Sequence, residues 1–345
     1  MSDRRWLDQW TAGTRSWARQ RSGAWRLLGY VTAAAGLLLI WYLFVTVIVP
    51  YALVGNDGVT YLAAAERLNA GHQLYSLELG DRLVYGLGSP CCPYPLMSPP
   101  PIAVLWRPLA LLGPDAALLL WDWINALAII VTVGLLLVRR PLTTGILIVV
   151  LSLPLAVETL LGNVNGLLLA GIAATWLLGR AGRYGTAGTV IGLMAAVKIW
   201  PALLILWFIT QGHLGAVKGF LTSLFVVGVL SLVGAGVAAH VEYLTTVGPA
   251  TSGLASLAEL VRAATGLWIP WLAYAVIAFG VLEIWALRAQ PRLAWAAAVL
   301  AMVFGAPVFH SGTLMLLFGA LVPWADGVRD VTGDVWPFAS SAEPR

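Results

Sequence analysis

The chain has 345 residues, of which 60% are hydrophobic and only 10% are charged, and its formal net charge is +4. Soluble domains usually carry about 25% charged residues, so this composition excludes an ordinary soluble globular protein. The apolar residues come in long runs and do not alternate every second residue, which argues against a membrane barrel. The sequence contains no basic module with interleaved aromatic residues, so nothing in it indicates nucleic-acid binding. The composition therefore predicts an all-α polytopic membrane protein.

Residues 1–26 form a basic segment before the first apolar run. If residues 3–21 are helical, Trp6, Trp10 and Trp17 lie within about 40° of one face. With the neighbouring arginines, this pattern predicts an amphipathic helix on the cytoplasmic headgroups, the alternative being a disordered basic tail. The apolar run that follows is too long for a secretory peptide and lacks a convincing cleavage site, so we expect it to remain as an anchor.

Apolar runs then recur along the chain, and they predict about ten transmembrane helices. Their approximate bounds are 27–53, 115–138, 141–160, 164–179, 184–197, 199–212, 217–239, 268–287, 293–309 and 312–325. Several are shorter than the roughly 20 residues that a full crossing takes. We expect one integral membrane domain over residues 1–345, with a long outer loop at 54–114 and a cytoplasmic tail at 326–345.

The positions of lysine and arginine near the ends of these runs predict the orientation. The N-terminal segment and alternate loops carry thirteen basic residues, whereas the opposite loops carry four. Because basic residues favour the cytoplasmic side, the N-terminus is expected to be cytoplasmic and the loop 54–114 extracytoplasmic.

Asp57 follows the first apolar run within a few residues. Placing an ionisable group at membrane depth costs free energy, so a carboxylate at the end of a predicted transmembrane helix is a candidate for function. The alternative is a helix N-cap, because aspartate and asparagine are favoured there. It precedes a predicted short helix that ends at Gly71, on which Glu66 and Arg67 are expected to be solvated surface charges.

The rest of the outer loop is rich in proline between Gly86 and Pro101, which predicts a rigid, non-helical path. It also holds the only cysteines, Cys91 and Cys92, which are adjacent. A disulfide between neighbours is strained, so free thiols or an intermolecular bond remain open. The sequence contains no cluster of histidine, cysteine and carboxylate residues that would predict a metal site, and we expect no cofactor.

Three cationic side chains are candidates to accompany Asp57 on the outer face: Lys198, Arg262 and His310. Lys198 can equally be half of an ion pair or a snorkelled anchor, and Arg262 can be a headgroup anchor. One carboxylate opposite several cations suits transfer from an anionic lipid phosphate. The base removes a proton from an acceptor hydroxyl, and the cations stabilise the departing phosphate. Glu158 and Asp122 are expected to be pairing partners rather than catalysts.

Four stretches, in this order, resemble glycosyltransferase family 87, the polyprenol-phosphate-sugar-dependent membrane transferases of the GT-C superfamily. They are Asn56-Asp57 with Tyr61 and Gly71 to Tyr75, the proline-rich segment from Tyr94-Pro95 to Arg107-Pro108-Leu109, the turn Gly162-Asn163-Val164-Asn165, and Gly192 to Pro201. Asn163 departs from the glutamine that is usual in the family's turn.

The resemblance implies a GT-C bundle with outer loops and interfacial helices, and an inverting transferase in which Asp57 is the general base. It implies donor-phosphate contacts at His310, Arg262 and Lys198, and substrate contacts at Asn56, Tyr61, Tyr94 and Asn165. Asn165 can also be a helix cap. The implied partners are a polyprenyl-phosphate sugar, a lipid or glycan acceptor, and membrane lipids. The transferred sugar is expected to be mannose, with arabinofuranose as the alternative. The alternative function outside the enzymes is a lipid or saccharide transporter.

Overall fold

The computed structural model describes residues 3–48, 56–76, 83–86, 89–93, 96–247, 256–306 and 311–325. Within these ranges the chain is predominantly helical. The N-terminal part contains α1 (Asp3–Leu43), which continues as a π-helical turn over Phe44–Ile48, and α2 (Asn56–Ala70). The helix predicted before Gly71 is therefore present, and Gly71 ends it with a φ of 79°.

A two-stranded antiparallel hairpin follows, with β1 at Leu83–Gly86 and β2 at Ser89–Pro93. It is an exception to the expected all-α fold, and Cys91 and Cys92 lie in its second strand. Within the described part of the proline-rich segment, helix resumes only at Pro100, as the proline density predicts.

The rest of the described chain is a succession of helices and short helical turns. In chain order they are α3 (Pro100–Ala110), α4 (Pro114–Arg139), α5 (Pro141–Val150), α6 (Ser152–Leu161), α7 (Asn165–Arg180), α8 (Tyr184–Val197), a 3₁₀ turn at Trp200–Leu203, α9 (Leu204–Thr210), α10 (Leu214–Glu242) with a π-helical end at Tyr243–Val247, α11 (Leu257–Thr265), α12 (Leu272–Ala286), α13 (Pro291–Phe304), a 3₁₀ stretch at Ser311–Leu317, and α14 (Phe318–Ala325).

Three helical stretches in the described ranges are long and apolar enough to cross a membrane: Gly23–Thr46, Pro114–Arg139 and Leu214–Thr245. The pair Pro141–Val150 and Ser152–Glu158, bent by 70°, makes a fourth if it is one broken span. The other apolar helices have 10 to 17 residues, so at 1.5 Å per residue they extend only about 15–26 Å. The helices lie close to the predicted positions, but the expected total of about ten crossings is not confirmed.

Close helix packing depends on glycine. Helices α8 and α10 pack along much of their length, and α1 packs in the same way on α5. A Cβ at Gly188 would overlap the backbone of Ala216, and one at Gly192 would overlap Ser223. Small residues let membrane helices approach until their backbones touch, which increases van der Waals contact. The packing holds the C-terminal end of α8, next to Lys198, in a fixed position.

A cluster of tryptophans fills part of the interior. Trp176, Trp207 and Trp295 pack with ring centroids 5.3–5.4 Å apart. A buried tryptophan usually finds a hydrogen-bond partner for its indole N–H. Trp207 donates to the Pro291 carbonyl at 2.8 Å, and Trp295 donates to the Gly319 carbonyl at 3.1 Å. These bonds tie α9, α13 and α14 together.

Candidate active site

Helix α2 places Asp57 in its first turn, where the side chain is partly buried. A carboxylate is stabilised in this position because the unpaired N–H groups at a helix N-terminus carry partial positive charge. Its neighbour Gly58 is buried, and the aromatic ring of Tyr61 one turn later lies in the core. The start of α2 is thus packed against the protein interior and is not exposed to solvent.

The chain turns sharply between α6 and α7, opposite the start of α2. Gly162 ends α6 with a φ of 63°, a left-handed conformation that favours glycine. The indole N–H of Trp121 donates to the Gly162 carbonyl at 2.6 Å. A Cβ at position 162 would lie 3.3 Å from the Cα of Gly58 and 3.1 Å from Oδ1 of Asp122. Glycine at positions 58 and 162 therefore lets the turn approach the first turn of α2 closely.

Asn163, in this turn, contacts Asp57 directly. Its side-chain Nδ2 donates to Oδ2 of Asp57 at 2.6 Å. Its Oδ1 accepts the backbone N–H of Val164 at 2.7 Å and the hydroxyl of Tyr61 at 3.4 Å. Because the amide oxygen is occupied by two donors, the amide nitrogen must face the carboxylate. Asn163 therefore fixes the orientation of the Asp57 side chain.

A second chain of hydrogen bonds ends at Lys198. This residue follows the last turn of α8 in an extended conformation, and its Nζ donates to Oδ1 of Asn165 at 2.9 Å. The Nδ2 of Asn165 donates in turn to Oε2 of Glu158 at 2.9 Å. Asn165 and Glu158 are both buried. The ammonium of Lys198 also interacts electrostatically with both Asp57 and Glu158.

Burial raises the pKa of the Asp57 carboxyl above the usual value of an aspartate, which is about 4. The positive charge of Lys198 and the hydrogen bond from Asn163 act in the opposite direction. A raised pKa makes the carboxylate a better proton acceptor, and the lysine keeps it able to ionise. This combination of burial and a specific charge partner is typical of functional carboxylates.

The comparison with protein families is decisive for the reaction class. The model of glycosyltransferase family 87 matches residues 97–322, which is more than half of the chain. The chain belongs to glycosyltransferase family 87. No curated protein and no solved structure shows significant similarity to it.

The family 87 match includes most of the site but begins after Asp57. Glu158, Asn163, Asn165 and Lys198 all lie within residues 97–322. Asp57 is connected to this region through its hydrogen bond with Asn163. The protein is therefore a membrane glycosyltransferase in which a buried polar cluster joins α2 to the helices matched by the family.

The structure brings together three of the residues predicted for the site: Asp57, Lys198 and Asn165. Tyr61 lies beside them, but its ring is only 4% exposed and packs against Trp106 and Trp121 with centroids 6.0 and 6.2 Å away. Its hydroxyl reaches the cluster through Asn163. This placement favours a role in holding Asn163.

Arg262 is not joined to this cluster by any described contact. It is on α11, is exposed, and forms an ion pair with Glu259 of the same helix, with Nε donating to Oε2 at 2.8 Å. The pairing lowers the pKa of Glu259 and raises the pKa of Arg262. Ser256 caps this helix by accepting the backbone N–H of Glu259 at 3.2 Å. Nothing in the described contacts of Arg262 connects it to Asp57.

Other predicted site residues lie partly or wholly outside the described residues. Asn56 is the first residue of α2, but its side chain is not among them, and neither Tyr94 nor His310 is. Their proposed substrate and phosphate contacts stay predictions. In the described part of the chain, no group of three or more histidine, cysteine or carboxylate side chains is arranged to hold a metal ion.

Two features of the site differ from the expectation from sequence. Asn163, for which the sequence predicts no role, is the side chain that contacts Asp57. Arg67, expected to be a solvated charge, is only 4% exposed, and its Nη1 donates to the Leu74 carbonyl at 2.7 Å. The arginine is buried because it closes the loop after α2. Glu158, expected to be a pairing partner, is joined to Lys198 through Asn165.

Proposed function

We propose that the protein is an inverting glycosyltransferase that moves mannose from a polyprenyl-phosphate donor to an acceptor hydroxyl on the outer membrane face. Asp57 is the general base. The observation that carries this proposal is the contact between Asp57 and Asn163, with Lys198 close enough to stabilise the ionised carboxylate. Family membership supplies the reaction class.

The reaction is a single displacement. The acceptor oxygen attacks the anomeric carbon of the sugar while the carboxylate of Asp57 removes the hydroxyl proton. The bond between the anomeric carbon and the phosphate oxygen breaks, and the polyprenyl phosphate leaves with the electron pair. One carboxylate is sufficient because no covalent sugar–enzyme intermediate forms, and the anomeric configuration is inverted.

The departing phosphate gains negative charge and needs cations nearby. We assign this role to His310, Arg262 and Lys198, and substrate contacts to Asn56 and Tyr94. The buried side chains of Tyr61 and Asn165, also predicted to contact substrate, hold Asn163 and Lys198 instead. Lys198 already faces the carboxylates of Asp57 and Glu158, so its charge is largely balanced before the donor arrives. The charge of Arg262 is likewise paired, with Glu259, but its side chain is 53% exposed, so a phosphate can reach it.

A lipid-carried donor fits the surroundings of the site. The helices next to Glu158, Asn163 and Lys198 belong to an apolar bundle with long, exposed hydrophobic faces, notably on α4 and α10. A polyprenyl chain dissolves in the bilayer next to such faces, and its phosphate stays at the interface. The excess of arginine in the N-terminal segment and alternate loops supports a cytoplasmic N-terminus and an extracytoplasmic site.

The proposal is tested with purified protein in lipid nanodiscs and polyprenyl-phosphate mannose, with methyl α-mannoside or a membrane lipid extract as the acceptor. We expect release of polyprenyl phosphate and a product whose new bond has the opposite anomeric configuration, as measured by NMR. A parallel reaction contains polyprenyl-phosphate arabinofuranose. Release only from the arabinose donor would overturn the assignment of mannose, and no release from either donor would overturn the enzymatic mechanism.

Asn163 gives a separate prediction. Asn163→Leu keeps the approximate size of the side chain but removes the donor to Asp57. Hydrogen bonds to a charged group contribute roughly 1.5–3 kcal/mol, so we expect kcat to fall about tenfold to a hundredfold. Asn69→Leu makes the same change at the far end of α2, where Asn69 contacts Arg107, and should retain most activity. Equal rates for Asn163→Leu and the wild type would show that the contact has no role in transfer.

A further inference from the structure

The turn between α6 and α7, which carries Asn163, is held by two side chains of α4. The indole N–H of Trp121 donates to the carbonyl of Gly162, the residue before Asn163, at 2.6 Å. One turn later on α4, Oδ1 of Asn125 accepts the backbone N–H of Leu167 at 3.3 Å. The Nδ2 of Asn125 donates to the Trp121 carbonyl at 3.1 Å. Asn163 therefore lies between two points at which the backbone of the turn is bonded to α4.

The ring of Trp121 is fixed by its neighbours. It is 2% exposed, and its centroid lies 4.9 Å from that of Trp106 on α3 and 6.2 Å from that of Tyr61 on α2. Aromatic pairs at such separations stabilise a structure beyond the area that they bury. A ring packed in this way holds its N–H in one direction, so Trp121 presents a fixed donor to the turn. It also contacts α2, the helix that carries Asp57.

The bond from Trp121 fixes the peptide that leads into Asn163. The Gly162 carbonyl and the Asn163 N–H belong to one planar peptide unit, so a donor that orients the carbonyl orients the whole unit. Gly162 is buried and ends α6, where the last carbonyls have no partner within the helix. Without the indole N–H, the buried carbonyl would lose this donor, which costs free energy and favours rotation of the turn.

We propose that Trp121 is a positioning residue for sugar transfer, which places Asn163 against Asp57 by fixing the peptide between Gly162 and Asn163. This inference rests on the proposed function, because it concerns the base of that reaction. The Nδ2 of Asn163 lies 2.6 Å from Oδ2 of Asp57, and hydrogen bonds weaken steeply when their geometry is lost. The buried ring acts through Asn163 and not on the substrate.

The test is the kinetics of Trp121→Phe in the release of polyprenyl phosphate from polyprenyl-phosphate mannose. Phenylalanine keeps an aromatic ring beside Trp106 and Tyr61 but has no N–H for the Gly162 carbonyl. Because one hydrogen bond between neutral groups is lost, we expect kcat to fall about threefold to tenfold. The KM values for donor and acceptor should be unchanged, because no substrate contact is removed.

Trp295→Phe is the matched control. Trp295 is also a buried tryptophan whose indole N–H donates to a glycine carbonyl, that of Gly319 at 3.1 Å, but it packs with Trp176 and Trp207. The two substitutions remove the same ring and the same kind of hydrogen bond, so both variants should melt below the wild type in nanodiscs. Only Trp121→Phe should lower kcat.

A double variant shows whether the effect passes through Asn163. In Asn163→Leu the bond to Asp57 is already absent, so adding Trp121→Phe should lower kcat little further. If Trp121→Phe does not fold, Trp121 is replaced with benzothienylalanine, in which a sulfur atom stands in place of the indole N–H. This side chain keeps the size of the ring and removes the donor, and the same kinetics are expected.

The outcomes distinguish this inference from the function. An inactive wild type overturns the proposed function, and the inference with it. With an active wild type, an unchanged kcat in the Trp121 variants overturns the inference alone. An equal loss of kcat in Trp295→Phe also overturns it, as does a full additional loss when Trp121→Phe is combined with Asn163→Leu. In both cases the effect would follow packing and not the position of Asn163.

Discussion

Asp57→Asn is expected to lower the rate of sugar transfer by about two to four orders of magnitude, the usual contribution of a general base. Asparagine has nearly the same shape as aspartate and can accept a hydrogen bond from Asn163 through its amide oxygen, so the local fold should persist. It cannot take the proton from the acceptor hydroxyl. The measurement is the initial rate of polyprenyl phosphate release, together with the melting temperature in nanodiscs.

A matched control for this variant is Asp115→Asn. Asp115 also lies in the first turn of a helix, at the start of α4, but it is exposed. The two changes are chemically identical, so any general effect of losing one acid at a helix N-terminus appears in both. We expect Asp115→Asn to transfer sugar at the wild-type rate. Normal turnover by Asp57→Asn would remove Asp57 from the mechanism.

Removing Lys198 is expected to have the largest effect on stability. Lys198→Met leaves the carboxylates of Asp57 and Glu158 without the cation that both face. A buried carboxylate left uncompensated costs up to roughly 3 kcal/mol, and Lys198, which is partly buried, is joined to Glu158 through Asn165. The melting temperature of the variant in nanodiscs should fall clearly, and its transfer activity should fall as well.

A second substitution tests whether charge is the cause. In the double variant Lys198→Met with Glu158→Gln, one of the uncompensated carboxylates is gone, so part of the lost stability should return. Lys218→Met, at an exposed position on α10, is the control for loss of a lysine and should melt as the wild type does. A double variant that is less stable than Lys198→Met would mean that the packing of the lysine stem matters more than its charge.

The helices were predictable because apolar runs and prolines define them locally. The run predicted at 115–138 is α4 (Pro114–Arg139), and the run predicted at 184–197 is α8 (Tyr184–Val197). The number of crossings was not predictable, since a short apolar helix is compatible with a full span, half of a broken span or a buried segment. The 70° bend between Val150 and Ser152 illustrates this: Pro154 has no N–H to donate to the Val150 carbonyl, but a proline in an apolar run does not distinguish a broken span from two short helices.

The candidate site was predictable in part. Asp57 and Lys198 are conspicuous because charged residues are rare in this chain and interrupt apolar sequence. The bridge from Lys198 through Asn165 to Glu158 requires α6, α7 and α8 to meet, and sequence spacing alone does not specify that arrangement. The contact between Asn163 and Asp57 depends on two glycines, Gly58 and Gly162, whose close approach appears only in three dimensions.

The most direct measurement is a structure of the protein in a nanodisc with a polyprenyl-phosphate sugar analogue and an acceptor bound. We predict that the acceptor hydroxyl lies within about 3.2 Å of the Asp57 carboxylate, directly or through one water. We also predict that the phosphate is contacted by His310, Arg262 or Lys198 on the extracytoplasmic side. A donor bound far from Asp57, or an Asp57 that opens to the cytoplasm, would contradict the proposed mechanism.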